Sequence, residues 1–259
     1  MYKNRLIPKL LITKNIKSNK SILVTSVKFN DYISIGDPFS QTKIFDAQSA
    51  DELIILNIDN EIDINSNFQL LKKITSQIFI PVTYGGGINS LDLVREYLKN
   101  GADKISINTE AFKNPSLISK ISEYFGKSTV CVSIDYKINK KNMYKVFINR
   151  GKEEINITPV EWAIEAERRG AGEIVLCNMD KDGLKNGLDL TLTKKISNLL
   201  RIPVITSGGC GSIGDFVDGY KMGKASAVSA STYFCFKDQG FMQVRSSLKN
   251  AGISIRTST

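Results

Sequence analysis

Short apolar runs recur along this chain, separated by polar stretches with helical periodicity. The runs Leu6–Leu11, Glu52–Ile58, Ile80–Tyr84, Lys104–Ile107, Thr129–Asp135, Glu173–Met179, Pro203–Ser207 and Ala227–Ala230 read as strands. Amphipathic segments such as Leu91–Asn100 and Pro159–Arg169 lie between them. Apolar runs of this length alternating with helical patterns predict parallel strands joined by crossover helices. Eight of them in 259 residues point to an α/β fold, a closed (β/α)8 TIM barrel spanning residues 1–259 as one domain, because that fold typically takes about 250 residues.

The pattern also repeats. Ile80-Pro-Val-Thr-Tyr-Gly-Gly-Gly-Ile88 returns as Ile202-Pro-Val-Ile-Thr-Ser-Gly-Gly-Cys210, displaced by 122 residues. Ala50-Asp-Glu-Leu-Ile-Ile-Leu-Asn-Ile-Asp59 returns as Ala171-Gly-Glu-Ile-Val-Leu-Cys-Asn-Met-Asp180, displaced by 121. Two motifs repeating at nearly one offset predict a two-fold internal half-barrel repeat.

A barrel of this kind carries its chemistry at the carboxyl ends of the strands. Gly86 and Gly87 follow the third strand, and Gly208 and Gly209 the seventh. Such glycines make either a tight turn or a cup whose backbone N–H groups hold phosphate. Asn108 and Thr109 after the fourth strand, and Ser231 and Thr232 after the eighth, are placed to complete the cups. Asp135 closes the fifth strand as a general acid or base, or as a cap. Asp180, Asp182 and Gly183 form either a turn or a pair of carboxylates facing the substrate, with Asp182 and Gly183 also placed to join the second cup. At the opposite ends of strands, Arg5, Glu52, Lys104 and Glu173 should meet near the barrel axis, as an ionic cluster or as a gate.

Composition narrows the chemistry. There is no histidine, and Cys131, Cys177, Cys210 and Cys235 form no CxxC pair. No metal site and no cofactor is therefore implied, and the thiols are expected to be reduced and mostly buried. The net charge of +9 suits a phosphorylated small molecule; the lysines are scattered and no recognition helix is evident, so no nucleic-acid partner is expected. The longest apolar runs fall far short of the roughly 20 residues that cross a bilayer, and no signal peptide is evident. No membrane partner is expected, and the location is expected to be cytoplasmic.

Taken together these residues resemble the cyclase subunit of imidazole glycerol phosphate synthase. The likeness runs from Arg5-Leu-Ile-Pro8 to about Phe236, through Gly36-Asp-Pro38, Asp51-Glu-Leu53, Gly85-Gly-Gly-Ile88, Gly101-Ala-Asp-Lys-Ile-Ser-Ile-Asn108, Ser133-Ile-Asp135, Arg169-Gly-Ala-Gly-Glu173 and Asp180-Lys-Asp-Gly183. The resemblance implies a glutaminase partner at the amino-terminal face, with ammonia passing through the barrel to a bisphosphorylated substrate. It implies a charged gate at Arg5, Glu52, Lys104 and Glu173, and an interface residue at Asp103. It places one phosphate on Gly87, Asn108 and Thr109, and the other on Asp182, Gly183, Gly209 and Ser231. Asp135 matches one of two catalytic aspartates. The other aspartate ends the first strand, where this chain has Leu11, and a lysine of the mobile first loop is replaced by Thr25. Those departures, with Val27-Lys28-Phe29, are similar to a divergent branch associated with acetamidino modification of lipopolysaccharide or flagellar sugars. In that branch a separate sugar amidotransferase would receive the ammonia. A cyclase–lyase of histidine biosynthesis and a non-catalytic scaffold subunit are the alternatives.

Overall fold

In the computed structural model, residues 3–15, 17–59, 62–236 and 240–256 are described. Twelve strands follow in chain order: β1 Arg5–Lys14, β2 Ser21–Val27, β3 Asn30–Gly36, β4 Leu53–Asn57, β5 Val82–Gly85, β6 Lys104–Ile107, β7 Val130–Ile138, β8 Tyr144–Ile148, β9 Glu153–Ile155, β10 Glu173–Asn178, β11 Val204–Ser207 and β12 Ala227–Ala230. The helices are α1 Pro38–Ala47, α2 Ile64–Thr75, α3 Leu91–Lys99, α4 Thr109–Lys113, α5 Ser116–Phe125, α6 Pro159–Arg168, α7 Leu190–Leu199, α8 Ile213–Lys221, α9 Thr232–Cys235 and α10 Gly240–Asn250.

Eight strands run parallel in the order β10-β11-β12-β1-β4-β5-β6-β7, and β7 pairs with β10 from Cys131↔Glu173 to Tyr136↔Asn178. The sheet is thus closed, and the fold is the (β/α)8 barrel expected from the eight apolar runs. Six of the helices start where short polar side chains satisfy their first free N–H groups. Asp37, Asp63, Ser90, Thr158, Asp189 and Ser212 each accept from a first-turn backbone N–H, the usual source of N-terminal helix definition. Among the described residues no helix is long and apolar enough to cross a membrane.

Two antiparallel hairpins were not expected from the sequence. β1 runs on past the barrel and pairs with β2 (Leu11↔Val24), which pairs with β3. β7 likewise runs on to pair with β8 (Asp135↔Phe147), which pairs with β9. They emerge from the first and fifth barrel strands, at equivalent places of the two halves. Their partners are distal strand extensions, which local periodicity does not reveal.

Strand alternation sorts β1 into two faces. Leu6, Leu10 and Ile12 join the large core between strands and helices, whereas Ile7 joins a smaller cluster with Ile54, Cys131, Val175, Ile205 and Ala227 inside the barrel. The barrel interior therefore has three storeys. Charged residues lie at the amino-terminal end, this apolar cluster sits above them, and a polar cavity opens at the carboxyl ends.

Candidate active site

The main cavity, about 340 Å³, lies at the carboxyl ends of the barrel strands. Gly86 and Gly87 border it with φ of +114° and +66°. A Cβ on Gly86 would lie 2.3 Å from the Asn57 carbonyl oxygen, so the backbone turns here in a way only glycine allows. Asn108 and Thr109 border the same space. The Asn108 side-chain amide donates to Asp135 Oδ2 at 2.8 Å, and Thr109 Oγ1 accepts from the Asn149 N–H.

The symmetric partner is built alike. Gly208 has φ of +89°, and its Cβ would lie 2.4 Å from the Asn178 carbonyl oxygen. Asn57 and Asn178 end β4 and β10, and their side-chain amides donate to Asn67 and Asp189 respectively. The repeat read in the sequence thus corresponds to a repeated backbone device. Gly208 and Gly209 border a second, small cavity with Asp182, Gly183, Ser231 and Thr232. Its volume is about 20 Å³, room for roughly one water. The β2–β3 hairpin closes over it: Thr25 Oγ1 lies 2.9 Å from Thr232 Oγ1, Ser26 Oγ donates to Asp182 Oδ2 at 2.8 Å, and the Lys28 N–H donates to the Asp182 carbonyl. Thr25, read as part of a loop, is a buried strand residue.

One placement differs from the expectation. Asp180 borders neither cavity; its Oδ2 accepts from the Ile138 N–H at 3.0 Å and so ties the fifth-strand extension to the turn after β10. The expected carboxylate pair is instead Asp135 with Asp182, both lining the main cavity. The reason is the tight turn after β10, which directs Asp180 outward and Asp182 inward.

Burial pushes the Asp135 carboxyl up to about 7, aided by the Asp182 charge and opposed by Lys9 and the Asn108 hydrogen bond. A carboxyl titrating there is suited to take and return a proton near neutral pH. Leu11 lines the cavity where β1 leaves the barrel and offers no proton. Two residues earlier, Lys9 shares its face and carries an ammonium into both cavities. Lys9 went unread in the sequence, although Arg5 had already set the parity of inward positions on β1. Ser26 and Arg150 also line the main cavity; they come from the hairpins and had no local signal. Arg150 donates to the Asp59 carbonyl oxygen.

At the amino-terminal end, Arg5 Nη1 lies 2.7 Å from Glu52 and 2.6 Å from Glu173, and Lys104 Nζ lies 3.0 Å and 2.9 Å from the same two residues. The four residues close into one ionic ring. Asp103, beside it in sequence, accepts from the Val82 N–H. Cys131 and Cys177 are buried inside the barrel, and burial pushes the Cys177 thiol up to about 12.

Fold and cavity together define a (β/α)8-barrel protein with a polar cleft at the strand carboxyl ends and a glycine-built two-fold repeat. The profile of the histidine biosynthesis protein family matches residues 6–238. The imidazole glycerol phosphate synthase subunit HisF of Alkaliphilus metalliredigens (strain QYMF) is 38% identical over 251 residues, 95% of this chain and 100% of that protein. The HisF subunits of Clostridium botulinum strains Kyoto / Type A2 and Okra / Type B1 are each 39% identical over 236 residues, 90% of this chain and 93% of theirs. The chain belongs to the HisF family.

Proposed function

We propose that this chain is the cyclase-type subunit of an imidazole glycerol phosphate synthase, adding ammonia from a glutaminase subunit to a bisphosphorylated ribulosyl substrate. The observation that carries this reading is the vertical order of the barrel: ionic ring, apolar storey, then the cavity with Asp135 and the glycine cups. Neutral ammonia crosses an apolar storey far more readily than ions do, because burying a charge is costly. On this reading Arg5, Glu52, Lys104 and Glu173 admit ammonia from the amino-terminal face, where Asp103 meets the glutaminase.

Above, Gly86, Gly87, Asn108 and Thr109 hold one phosphate. Asp182, Gly183, Gly208, Gly209, Ser231 and Thr232 hold the other once the Thr25–Thr232 contact opens. Asp135 moves the protons. Leu11 favours a second reading, in which the barrel passes its ammonia to a separate amidotransferase that acts on a nucleotide-activated sugar in acetamidino modification of a surface glycan.

Turnover of the ribulosyl bisphosphate with an ammonium salt tests the choice, since the salt bypasses the glutaminase. Formation of imidazole glycerol phosphate and the aminoimidazole carboxamide ribotide supports the cyclase reading. A folded protein that stimulates its glutaminase but leaves the bisphosphate unchanged supports the second.

A further inference from the structure

Among the described residues Lys9 is the only buried lysine, at 4% exposure. Its Nζ donates to Cys177 Sγ at 3.4 Å, and its nearest carboxylate oxygen, Asp182 Oδ1, lies 3.9 Å away. A thiol is a weak acceptor, and 3.9 Å is too long for a hydrogen bond. The adjacent carboxylates are engaged elsewhere, Asp182 by Ser26 and Asp135 by Asn108. A buried ammonium normally requires strong, close acceptors. Here one is held by weak partners at the junction of the two cavities. Ser207 and Ser229, which also line the smaller cavity, are buried with hydroxyls that meet no partner in the protein. Unsatisfied buried donors that face a cavity point to a ligand oxygen.

We infer that Lys9 is a catalytic residue of this site, donating a hydrogen bond to the oxygen of a substrate carbonyl as ammonia adds to its carbon. This role rests on the reading above, in which the cavity takes a bisphosphorylated ketose and ammonia. The nitrogen lone pair of ammonia forms the new C–N bond, and the carbonyl π pair moves onto oxygen. Asp135 takes one proton from the resulting ammonium nitrogen and returns it to the alkoxide. The product is the neutral carbinolamine, with Asp135 again ionised and Lys9 protonated throughout. Burial disfavours the ammonium, but the negative charge of the Asp182 and Asp135 carboxyls, with the hydrogen bond to Cys177, keeps Lys9 charged. Lys9 thereby supplies, from one step lower on the same face of β1, a charge that Leu11 does not.

The test compares Lys9→Met with the wild type in ammonium-dependent turnover of the ribulosyl bisphosphate. Removing one preorganised donor to a developing oxyanion typically lowers kcat about 10²–10³-fold, so a loss of that size is expected, with KM little changed. A raised KM at unchanged kcat would make Lys9 a ground-state anchor and overturn the role. So would a lowered melting temperature with kcat unaltered, which a purely structural lysine predicts. Should Lys9→Met fail to fold, ¹⁵N-lysine NMR of the wild type reads the same contact, because a buried ammonium exchanges slowly. Its resonance should shift when the bisphosphate is added; an unmoved resonance in a protein that turns the bisphosphate over rejects the contact. A wild type that neither binds nor converts the bisphosphate overturns the functional reading itself, and the role of Lys9 with it.

Discussion

Replacing Arg5 with methionine tests the ionic ring most directly. Arg5 supplies two of the ring's four contacts, at 2.7 Å to Glu52 and 2.6 Å to Glu173. Without it, two carboxylates with side chains only 5% and 8% exposed share Lys104 alone. Arg256 lies 3.9 Å from Glu52 and is half exposed, so it compensates little. Removing one partner from a buried ion cluster typically costs about 3–5 kcal/mol, and that is the loss expected for Arg5→Met at neutral pH. Against a total stability of roughly 5–15 kcal/mol, it should be plain in urea unfolding followed by circular dichroism.

The pH dependence gives a sharper check. Burial pushes the Glu52 carboxyl up, but the charges of Arg5 and Lys104 outweigh it, so its folded value lies below the ordinary carboxylate range. Such a group contributes stability that is fully present above its unfolded pKa and is lost as pH falls through its folded one. In Arg5→Met the larger opposing charge is gone, so burial pushes the carboxyl upward, and protonation on acidification relieves the strain. The gap between the two proteins should therefore narrow on acidification. A loss under about 1 kcal/mol, the scale of a surface pair, or a gap that is constant from neutral to acid pH, would refute the reasoning.

Asp135→Asn should lower ammonium-dependent kcat by about 10²–10⁴-fold, and should abolish the limb near pH 7 that the raised Asp135 carboxyl predicts for the wild-type pH–rate profile. Because the folded carboxyl is raised above its unfolded value, the folded state holds the extra proton, and stability falls as pH rises through that interval. The same variant should therefore melt higher than the wild type at pH 8 and no higher at pH 3.5; equal melting at both would count against a buried Asp135. Gly208→Ala places a Cβ 2.4 Å from the Asn178 carbonyl at φ of +89°. A loss of at least about 1–3 kcal/mol is expected, and millimolar inorganic phosphate, which should raise the wild-type melting temperature if the cup holds phosphate, should no longer do so. Unchanged denaturation midpoints would mean that the turn relaxes freely.

Much of this molecule was legible along the chain. All eight barrel strands fall within a few residues of the apolar runs, because a parallel strand buried on both faces must be apolar nearly throughout. The cups were legible because the backbone at Gly86 and Gly208 has no room for a Cβ beside Asn57 and Asn178, so the same residue types recur at the same offset. Arg5, Glu52, Lys104 and Glu173 could be grouped from their common place at strand starts.

Other features needed the assembled structure. Asp180 and Asp182 stand two apart in one turn, and only the path of that turn sends Asp182 to the cavity and Asp180 to Ile138. The two hairpins depend on pairing with extensions of β1 and β7, so Ser26 and Arg150 reach the cavity from segments with no signal of their own. Lys9 lies between. Strand parity with Arg5 suffices to put it inside the barrel, although it went unread, but its surroundings come from β7, β10 and the turn beyond. Sequence records which face a residue takes through the period of its own strand. Which charges, thiols and hydroxyls it meets there is set by closing eight strands into a ring, which brings Lys9 and Cys177 within 3.4 Å across 168 residues of chain.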